Sequence, residues 1–133
     1  VIAIAAGICA GQGLGDNARA GLITRGLAET ARLASQLGAE SHTISGLAGM
    51  GDLVLSCSGP HSRNMAFGFA LGSGKPVPTS LAEGRFSASI LKARSKYESI
   101  ELPICFAVDD IVNGDVDIHT RISALLSRQA GQE

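Results

Sequence analysis

The sequence predicts an all-α fold, a helical bundle formed by one domain over residues 1–133. Apolar residues recur at intervals of three and four along most of the chain, which is the spacing of one helix face. No segment shows the strict alternation of a half-buried strand. The chain is 45% hydrophobic but only 4% aromatic, so we expect an aliphatic, alanine-rich core of closely packed helices. At this length one domain can bury such a core.

The first half of the chain predicts one long helix between two turns. Residues 1–9 are continuously apolar, which does not separate a buried strand from a buried helix. The glycines over 11–15 lack the spacing of a dinucleotide-binding loop and predict a turn. A helix is expected over 17–37, with Asp16 or Asn17 as its N-cap and Gly38 just beyond its end. Its inward face is predicted to carry Ile23, Leu27, Thr30, Ala34 and Leu37, and its solvated face Arg19, Arg25, Glu29, Arg32 and Gln36.

The second half predicts a series of shorter helices, over 50–57, 62–71, 86–97 and 103–114, with a last helix after Asp117. Ser62 and Asp117 are the expected N-caps of two of them, and Pro103 suits the first turn of another. Residues 72–78 form a loop rich in glycine and proline. The tail beyond Gln129 is expected to fray. The helix over 86–97 is predicted to bury Phe86, Ile90, Ala93 and Tyr97.

Composition and charge exclude several classes of function. A net charge of −1 gives no support for nucleic acid or an anionic membrane surface as a partner. No apolar run reaches the roughly 18–20 residues of a membrane span. The three cysteines are widely scattered, which indicates reduced, buried thiols in a cytoplasmic protein. Neither they nor the three histidines have the spacing of metal ligands, so no metal site is expected.

The stretch 46–64 concentrates the residues that suggest binding. Three glycines, at 46, 49 and 51, precede Asp52, and a glycine–proline turn leads into Ser62-Arg63-Asn64. Asp52 and Ser62 are each explained most simply as helix caps. Arg63 in a first helical turn opposes the helix macrodipole, and an anion bound there would relieve that repulsion. The pattern therefore predicts a binding site for a phosphorylated ligand. Glu83, taken alone, is explained as a surface charge.

Several motifs carry a resemblance to a known family. Ala-Gly-Met-Gly-Asp-Leu-Val-Leu-Ser-Cys over 48–57, followed by Ser62-Arg63-Asn64, resembles the bacterial-type NAD(P)-dependent glycerol-3-phosphate dehydrogenases. The opening seven residues, Glu83-Gly84 and Leu102-Pro103-Ile104 extend the resemblance over essentially the whole chain. The resemblance implies a helical, substrate-binding C-terminal domain of the 6-phosphogluconate dehydrogenase-like superfamily. It also implies an N-terminal Rossmann domain that this chain lacks.

The family interconverts sn-glycerol 3-phosphate and dihydroxyacetone phosphate with NAD or NADP, mainly to supply phospholipid synthesis. The resemblance implies that the catalytic lysine lies just upstream of Val1, so we expect no catalytic residue in this chain and no turnover by the chain alone. The implied substrate-binding residues are Asp52, Ser62, Arg63 and Asn64, and the implied cofactor-binding residues are Arg63, Leu81 and Glu83.

Two alternatives stay open at the level of sequence. The chain could be the C-terminal domain of another NAD(P)-dependent dehydrogenase that acts on a small hydroxy compound. It could also be a non-catalytic helical dimerisation module, in which the glycines allow close helix packing. The expected partners are a small-molecule substrate and, in a possible homodimer, a second copy of the chain. The sequence does not decide between NAD and NADP.

Overall fold

The computed structural model describes residues 1–59, 61–114 and 116–127, apart from the side chain of Ser41. Every regular element in these residues is helical, which confirms the all-α prediction. The predicted fraying of the tail beyond Gln129 falls outside the described residues. In chain order the elements are α1 (Ile2–Gly11), α2 (Gly15–Gln36), α3 (Ser41–Ser45), a π-helical turn (Leu47–Gly51), α4 (Asp52–Ser58), α5 (Arg63–Gly72), α6 (Gly84–Glu98), α7 (Pro103–Val112) and α8 (Ile118–Leu126).

The ambiguous apolar segment at the start of the chain is a helix, α1, and it forms the centre of the bundle. All residues from Ile2 to Cys9 are buried. Helices α2, α4, α5, α6 and α7 all pack against it. A helix that is covered on every side needs no polar face, so its sequence carries no helical period. This is why periodicity alone could not assign it.

Helices α1 and α5 run parallel with their backbones in direct contact. A Cβ added to Gly68 would lie 2.8 Å from the carbonyl carbon of Ile4, and one added to Gly72 would lie 2.9 Å from the Cα of Ile8. The same four-residue step on both helices fixes the parallel direction. Gly7 of α1 lies equally close to the α5 backbone, since its added Cβ would be 2.7 Å from the amide nitrogen of Phe69. The N-termini of the two helices therefore lie at the same end of the bundle.

Most predicted helix ends are confirmed. The Ser62 hydroxyl accepts a hydrogen bond from the Met65 N–H at 3.2 Å, and the Asp117 carboxylate accepts one from the Thr120 N–H at 2.8 Å. Pro103 is the first residue of α7. Gly38 follows the end of α2 with a φ of +81°, a conformation that glycine adopts without strain.

The predicted N-cap of α2 is wrong. The helix begins at Gly15, after Leu14, and no side chain caps it in the described part of the chain. Asp16 instead lies in the first turn and pairs with Arg19 at 2.9 Å. An acidic residue in the first turn still favours the helix through the macrodipole. The glycine-rich turn before α2 thus ends earlier than the N-cap preferences of Asp16 and Asn17 predicted.

The predicted inward face of α2 is displaced by about one residue. The buried positions are Leu22, Gly26 and Glu29, whereas Leu37, which we expected inside, is 54% exposed. Glu29 was assigned to the solvated face and is only 2% exposed. The buried stripe contains a glycine and a carboxylate, so apolar periodicity selected the neighbouring, more hydrophobic stripe.

The predicted inward face of α6 is wrong. Phe86 is 52%, Ile90 66% and Tyr97 90% exposed, and Ala93 is exposed as well. The buried residues of the helix are small ones, Gly84, Ala88 and Ser95. Because small residues allow close approach to α1 and α7, the large apolar side chains are left on the outer face.

The predicted helix over 50–57 begins earlier and with a different geometry. The chain forms a π-helical turn over Leu47–Gly51 and becomes α-helical only from Asp52, ending at Ser58. The Gly51 N–H donates to the Gly46 carbonyl, a bond that spans five residues. A short helix that the sequence did not predict, α3, immediately precedes this turn.

Helices α6, α7 and α8 are joined by a network of ion pairs. The Lys92 ammonium lies 2.8 Å from Asp109 and 2.5 Å from Asp110, and Arg121 of α8 lies 2.9 Å from Asp110. Ser89 also donates a hydrogen bond to Asp109. Burial alone would raise the pKa of Asp109, but the hydrogen bonds from Lys92 and Ser89 outweigh it and hold the pKa below 3.8.

The close contact between Gly68 of α5 and the backbone of α1 predicts a large loss of stability when a methyl group is added at Gly68. Gly68→Ala should lower the free energy of unfolding by about 3 kcal/mol or more, because the Cβ would meet backbone that cannot rotate away. Gly21→Ala is the matched control, since nothing lies within 4 Å of its added Cβ. The control should gain about 0.5–1 kcal/mol from helix propensity. Chemical denaturation measures both, and equal effects at the two glycines would contradict the close packing.

The ion-pair network predicts a pH-dependent contribution from Asp109. A carboxyl whose pKa is lowered by folding stabilises the fold above its unfolded pKa of 3.8, and this contribution is lost as the pH falls through the folded value. Asp109→Asn should therefore cost about 2 kcal/mol at pH 7 and progressively less below pH 4. Denaturation at several pH values measures the difference. Asp16→Asn, at an exposed carboxyl, should change little, and a pH-independent cost for Asp109→Asn would contradict the assignment.

Candidate functional site

A cavity of about 480 Å³ lies at the end of the bundle where several helices begin. Its walls come from helices α1 to α7, several of which begin there, and from the π-helical turn between α3 and α4. The residues that line it are Val1, Ile2, Ala3, Leu27, Glu29, Thr30, Leu33, Ile44, Ala48, Gly49, Asp52, Leu53, Ser56, Asn64, Ser87, Leu91, Leu102 and Cys105.

Several helices begin at this cavity. Four helices of ten or more residues, α1, α5, α6 and α7, contribute lining residues in or beside their first turns. Each N-terminus carries roughly half a positive charge. The described lining contains two carboxylates, Glu29 and Asp52, and neither lysine nor arginine. Among the described lining residues the helix N-termini are the groups that favour an anion, and the Asp52 and Glu29 carboxylates oppose them.

Asp52 and Ser56 lie on one wall, one helical turn apart on α4. The interpretation of Asp52 as a helix cap is wrong, since Gly51 is the N-cap residue and Asp52 is the first residue of the helix. Asp52 thus lines the cavity as an exposed residue and has no capping role. Ser56 was not among the predicted site residues. Its position four residues after Asp52 is the signal that could have identified it.

Asn64 projects from the first turn of α5 on another wall of the cavity. Its Oδ1 accepts a hydrogen bond from the Gly84 N–H at 2.9 Å, so the starts of α5 and α6 are tied together. A Cβ on Gly84 would lie 2.8 Å from this oxygen and 2.9 Å from the nitrogen of Val1. Because the oxygen is engaged, the amide N–H₂ group is the part of Asn64 that remains to donate to a ligand.

The other predicted site residues lie outside the cavity. Ser62 caps α5 and is half-buried, while Arg63 is exposed beside it. Leu81 is 49% exposed, and Glu83 is exposed at the N-cap position of α6. These residues stand at the N-terminal ends of α5 and α6. The structure therefore brings Asp52 and Asn64 into one cavity and leaves Arg63, Leu81 and Glu83 on the outside.

Glu29 and Cys105 are cavity residues that the sequence did not indicate. The Glu29 carboxylate accepts hydrogen bonds from the N–H groups of Ile104, at 2.6 Å, and Cys105, at 3.4 Å. It thereby supplies hydrogen-bond acceptors for two backbone N–H groups in the first turn of α7, which have no partner within the helix. Burial and the nearby Glu29 carboxylate raise the pKa of the Cys105 thiol to about 12. Burial likewise raises the pKa of Cys57 to about 11, so these thiols are protonated at neutral pH.

All three cysteines are free and buried, as the sequence predicted. Within residues 1–59, 61–114 and 116–127, no group of three or more histidine, cysteine, aspartate or glutamate side chains is placed to hold a metal ion. None of the described helices combines the length and the apolar character that crossing a membrane requires.

Comparison with known proteins assigns the family. Residues 1–123 match the family model described as the NAD-dependent glycerol-3-phosphate dehydrogenase C-terminus. Over 96% of this chain, the glycerol-3-phosphate dehydrogenases [NAD(P)+] of Rhodospirillum rubrum and Caulobacter vibrioides are 49% and 50% identical to it. The chain spans 38% and 40% of their lengths.

A solved structure extends the agreement to three dimensions. The crystal structure of glycerol-3-phosphate dehydrogenase from Coxiella burnetii superimposes with a TM-score of 0.89 at 43% identity. The superposition covers 96% of this chain and 41% of that one. Sequence and fold thus agree over nearly the whole chain, which belongs to the C-terminal domain family of the NAD-dependent glycerol-3-phosphate dehydrogenases.

Proposed function

We propose that this chain is the substrate-binding C-terminal domain of a glycerol-3-phosphate dehydrogenase. The complete enzyme would interconvert sn-glycerol 3-phosphate and dihydroxyacetone phosphate by hydride transfer with NAD or NADP. A preceding dinucleotide-binding domain would supply most of the cofactor site, in agreement with relatives that are more than twice as long. The observation that carries the proposal is a cavity surrounded by helix N-termini in a chain of this family.

The cavity suits a small phosphorylated polyol in size, and a few polar groups in its largely apolar lining can bind one. Its volume of about 480 Å³ lies in the range of small-molecule sites. The helix N-termini favour an anion, whereas the Glu29 carboxylate already occupies the end of α7. The ends of α1, α5 and α6 are therefore the ones that favour the phosphate group. The N–H₂ group of Asn64, at the start of α5, would donate to a phosphate or hydroxyl oxygen.

Asp52 and Arg63 take different roles in this proposal. The Asp52 carboxylate can accept hydrogen bonds from the hydroxyl groups of the substrate. Arg63 lies next to Asn64 but outside the cavity, so it would reach the phosphate from the rim when the second domain closes the site. A guanidinium can bind a phosphate through two parallel hydrogen bonds. Ser62 orients this turn through its cap.

The positions of the expected cofactor-binding residues are compatible with a cofactor that is bound mainly by another domain. Arg63, Leu81 and Glu83 are exposed at the starts of α5 and α6. A cofactor bound by a second domain could contact them at the cavity rim. When bound, NAD(P)+ supplies the acceptor for the hydride that leaves the carbinol carbon. This domain would orient that carbon and help exclude water.

The proton of the substrate hydroxyl needs an acceptor, and the resemblance places a lysine for it just before Val1. Val1 lines the cavity, so a residue that precedes it in a longer chain would enter at the cavity wall. A base must come within about 3 Å of the proton that it removes. Residues 1–133 by themselves should therefore not oxidise the substrate.

The test uses the full-length enzyme and the variants Arg63→Ala and Asp52→Asn. Loss of a charged hydrogen bond to the phosphate should raise KM for glycerol 3-phosphate about 10–100-fold in Arg63→Ala, with weaker use of the cofactor. Asp52→Asn should lower kcat/KM by about tenfold or more. Arg94→Ala is the matched control, because Arg94 pairs only with Glu98 among the described contacts.

Steady-state kinetics with glycerol 3-phosphate and with glycerol separate the rival functions. A phosphate-dependent enzyme should strongly prefer glycerol 3-phosphate, and Arg63→Ala should reduce that preference. Equal activity on both compounds would favour a dehydrogenase of another hydroxy compound. Unchanged kinetics in both site variants, or no turnover of glycerol 3-phosphate by the full-length protein, would contradict the proposal.

A further inference from the structure

The cavity wall that carries Asp52 begins with an unusual turn. The π-helical residues Leu47–Gly51 lead directly into α4, whose first residue is Asp52. Single π-turns occur often at functional sites, because the wider turn changes the direction of the side chains around it. Ile44, Gly49 and Asp52 all line the cavity. The turn therefore forms part of the same wall as the carboxylate.

Gly49 is the point where this turn touches the preceding helix. A Cβ built on Gly49 would lie 2.6 Å from both the Cα and the carbonyl carbon of Ile44. It would lie closer still to the carbonyl oxygen of Ile44. All of these are backbone atoms, so no side-chain rotation could relieve the overlap. An alanine at this position would have to displace the turn from α3, by roughly 1 Å to restore ordinary contact.

The neighbouring glycines are under much weaker constraint. A Cβ on Gly51 would meet only the side chain of Leu47, at 3.6 Å, which is an ordinary contact. A Cβ on Gly46 would lie 3.2 Å from the His42 carbonyl oxygen, which is tight but not an overlap of the same kind. Gly51 has right-handed helical dihedral angles, with φ −61° and ψ −48°, so alanine fits its backbone without strain. Close packing of this turn thus depends mainly on Gly49.

We infer that Gly49 is a positioning residue for the Asp52 carboxylate: its missing side chain seats the π-helical turn against Ile44 and so sets where Asp52 stands in the cavity. The inference rests on the proposed function, because it gives Asp52 a role toward substrate. Displacement of a catalytic-site group by about 1 Å can cost roughly 100-fold in rate. Gly49 lines the cavity but has no side chain, so its role is to set the position of this wall.

The test is a graded alanine series in the full-length enzyme. Gly49→Ala should lower kcat/KM for glycerol 3-phosphate by about 10–100-fold, Gly46→Ala by a few-fold, and Gly51→Ala by less than about twofold. The KM for NAD(P)+ should stay within about twofold in all three variants, because cofactor contacts lie on other elements. Circular dichroism and thermal unfolding show whether each variant is folded. If Gly49→Ala does not fold, the test is the comparison of Gly46→Ala with Gly51→Ala, in which Gly46→Ala should show the larger loss of kcat/KM.

A double-mutant cycle separates positioning from general destabilisation. If Gly49 acts through Asp52, adding Gly49→Ala to Asp52→Asn should lower kcat/KM by less than about threefold below the single Asp52→Asn variant. Multiplicative losses, or equal losses in Gly49→Ala and Gly51→Ala, would overturn the inference. So would a folded Gly49→Ala enzyme with normal kinetics.

The same measurements distinguish this inference from the function on which it rests. If Asp52→Asn leaves glycerol 3-phosphate oxidation unchanged, the proposed role of Asp52 is wrong, and the positioning role of Gly49 is wrong with it. If Asp52→Asn impairs oxidation while Gly49→Ala does not, only the positioning role is wrong.

Discussion

The direct backbone contact between α1 and α5 is the constraint on which the rest of this domain depends. Glycines on both helices allow the two backbones to touch, so the helices are held in one register by hard contacts. This places the start of α1 beside the start of α5. Helix α6 then joins the same point, because the Gly84 N–H bonds to Asn64 and a side chain at Gly84 would overlap both neighbours.

The convergence of helix N-termini has an electrostatic consequence. The chain has a net charge of −1, and the cavity lining in the described residues contains no basic side chain. An anion site can still form, because aligned peptide dipoles supply positive potential where helices begin. Glu29 shows the same effect within the protein. Its buried carboxylate is stabilised by the N–H groups at the start of α7.

The cavity is half of a site if the proposed function is right. Asp52 and Asn64 line the cavity, although Asp52 is also exposed, whereas Arg63, Leu81 and Glu83 lie outside it near the starts of α5 and α6. Such an arrangement suits a domain that holds a substrate while a second domain brings a cofactor to the rim. The match to only about two fifths of each relative agrees with this division.

The sequence by itself determined the helical class, most helix ends and the family, since these depend on local chemistry: Ser62 and Asp117 cap the helices that they precede, and the motifs around Asp52 are local in the chain. It did not determine which face of α2 or α6 is buried, or that residues 1–9 form a helix. Those outcomes depend on how closely helices approach. Glycine, alanine and one paired carboxylate, Glu29, occupy buried positions that hydrophobicity assigns to solvent, because only the tertiary structure shows which partner backbone or N–H group each one meets.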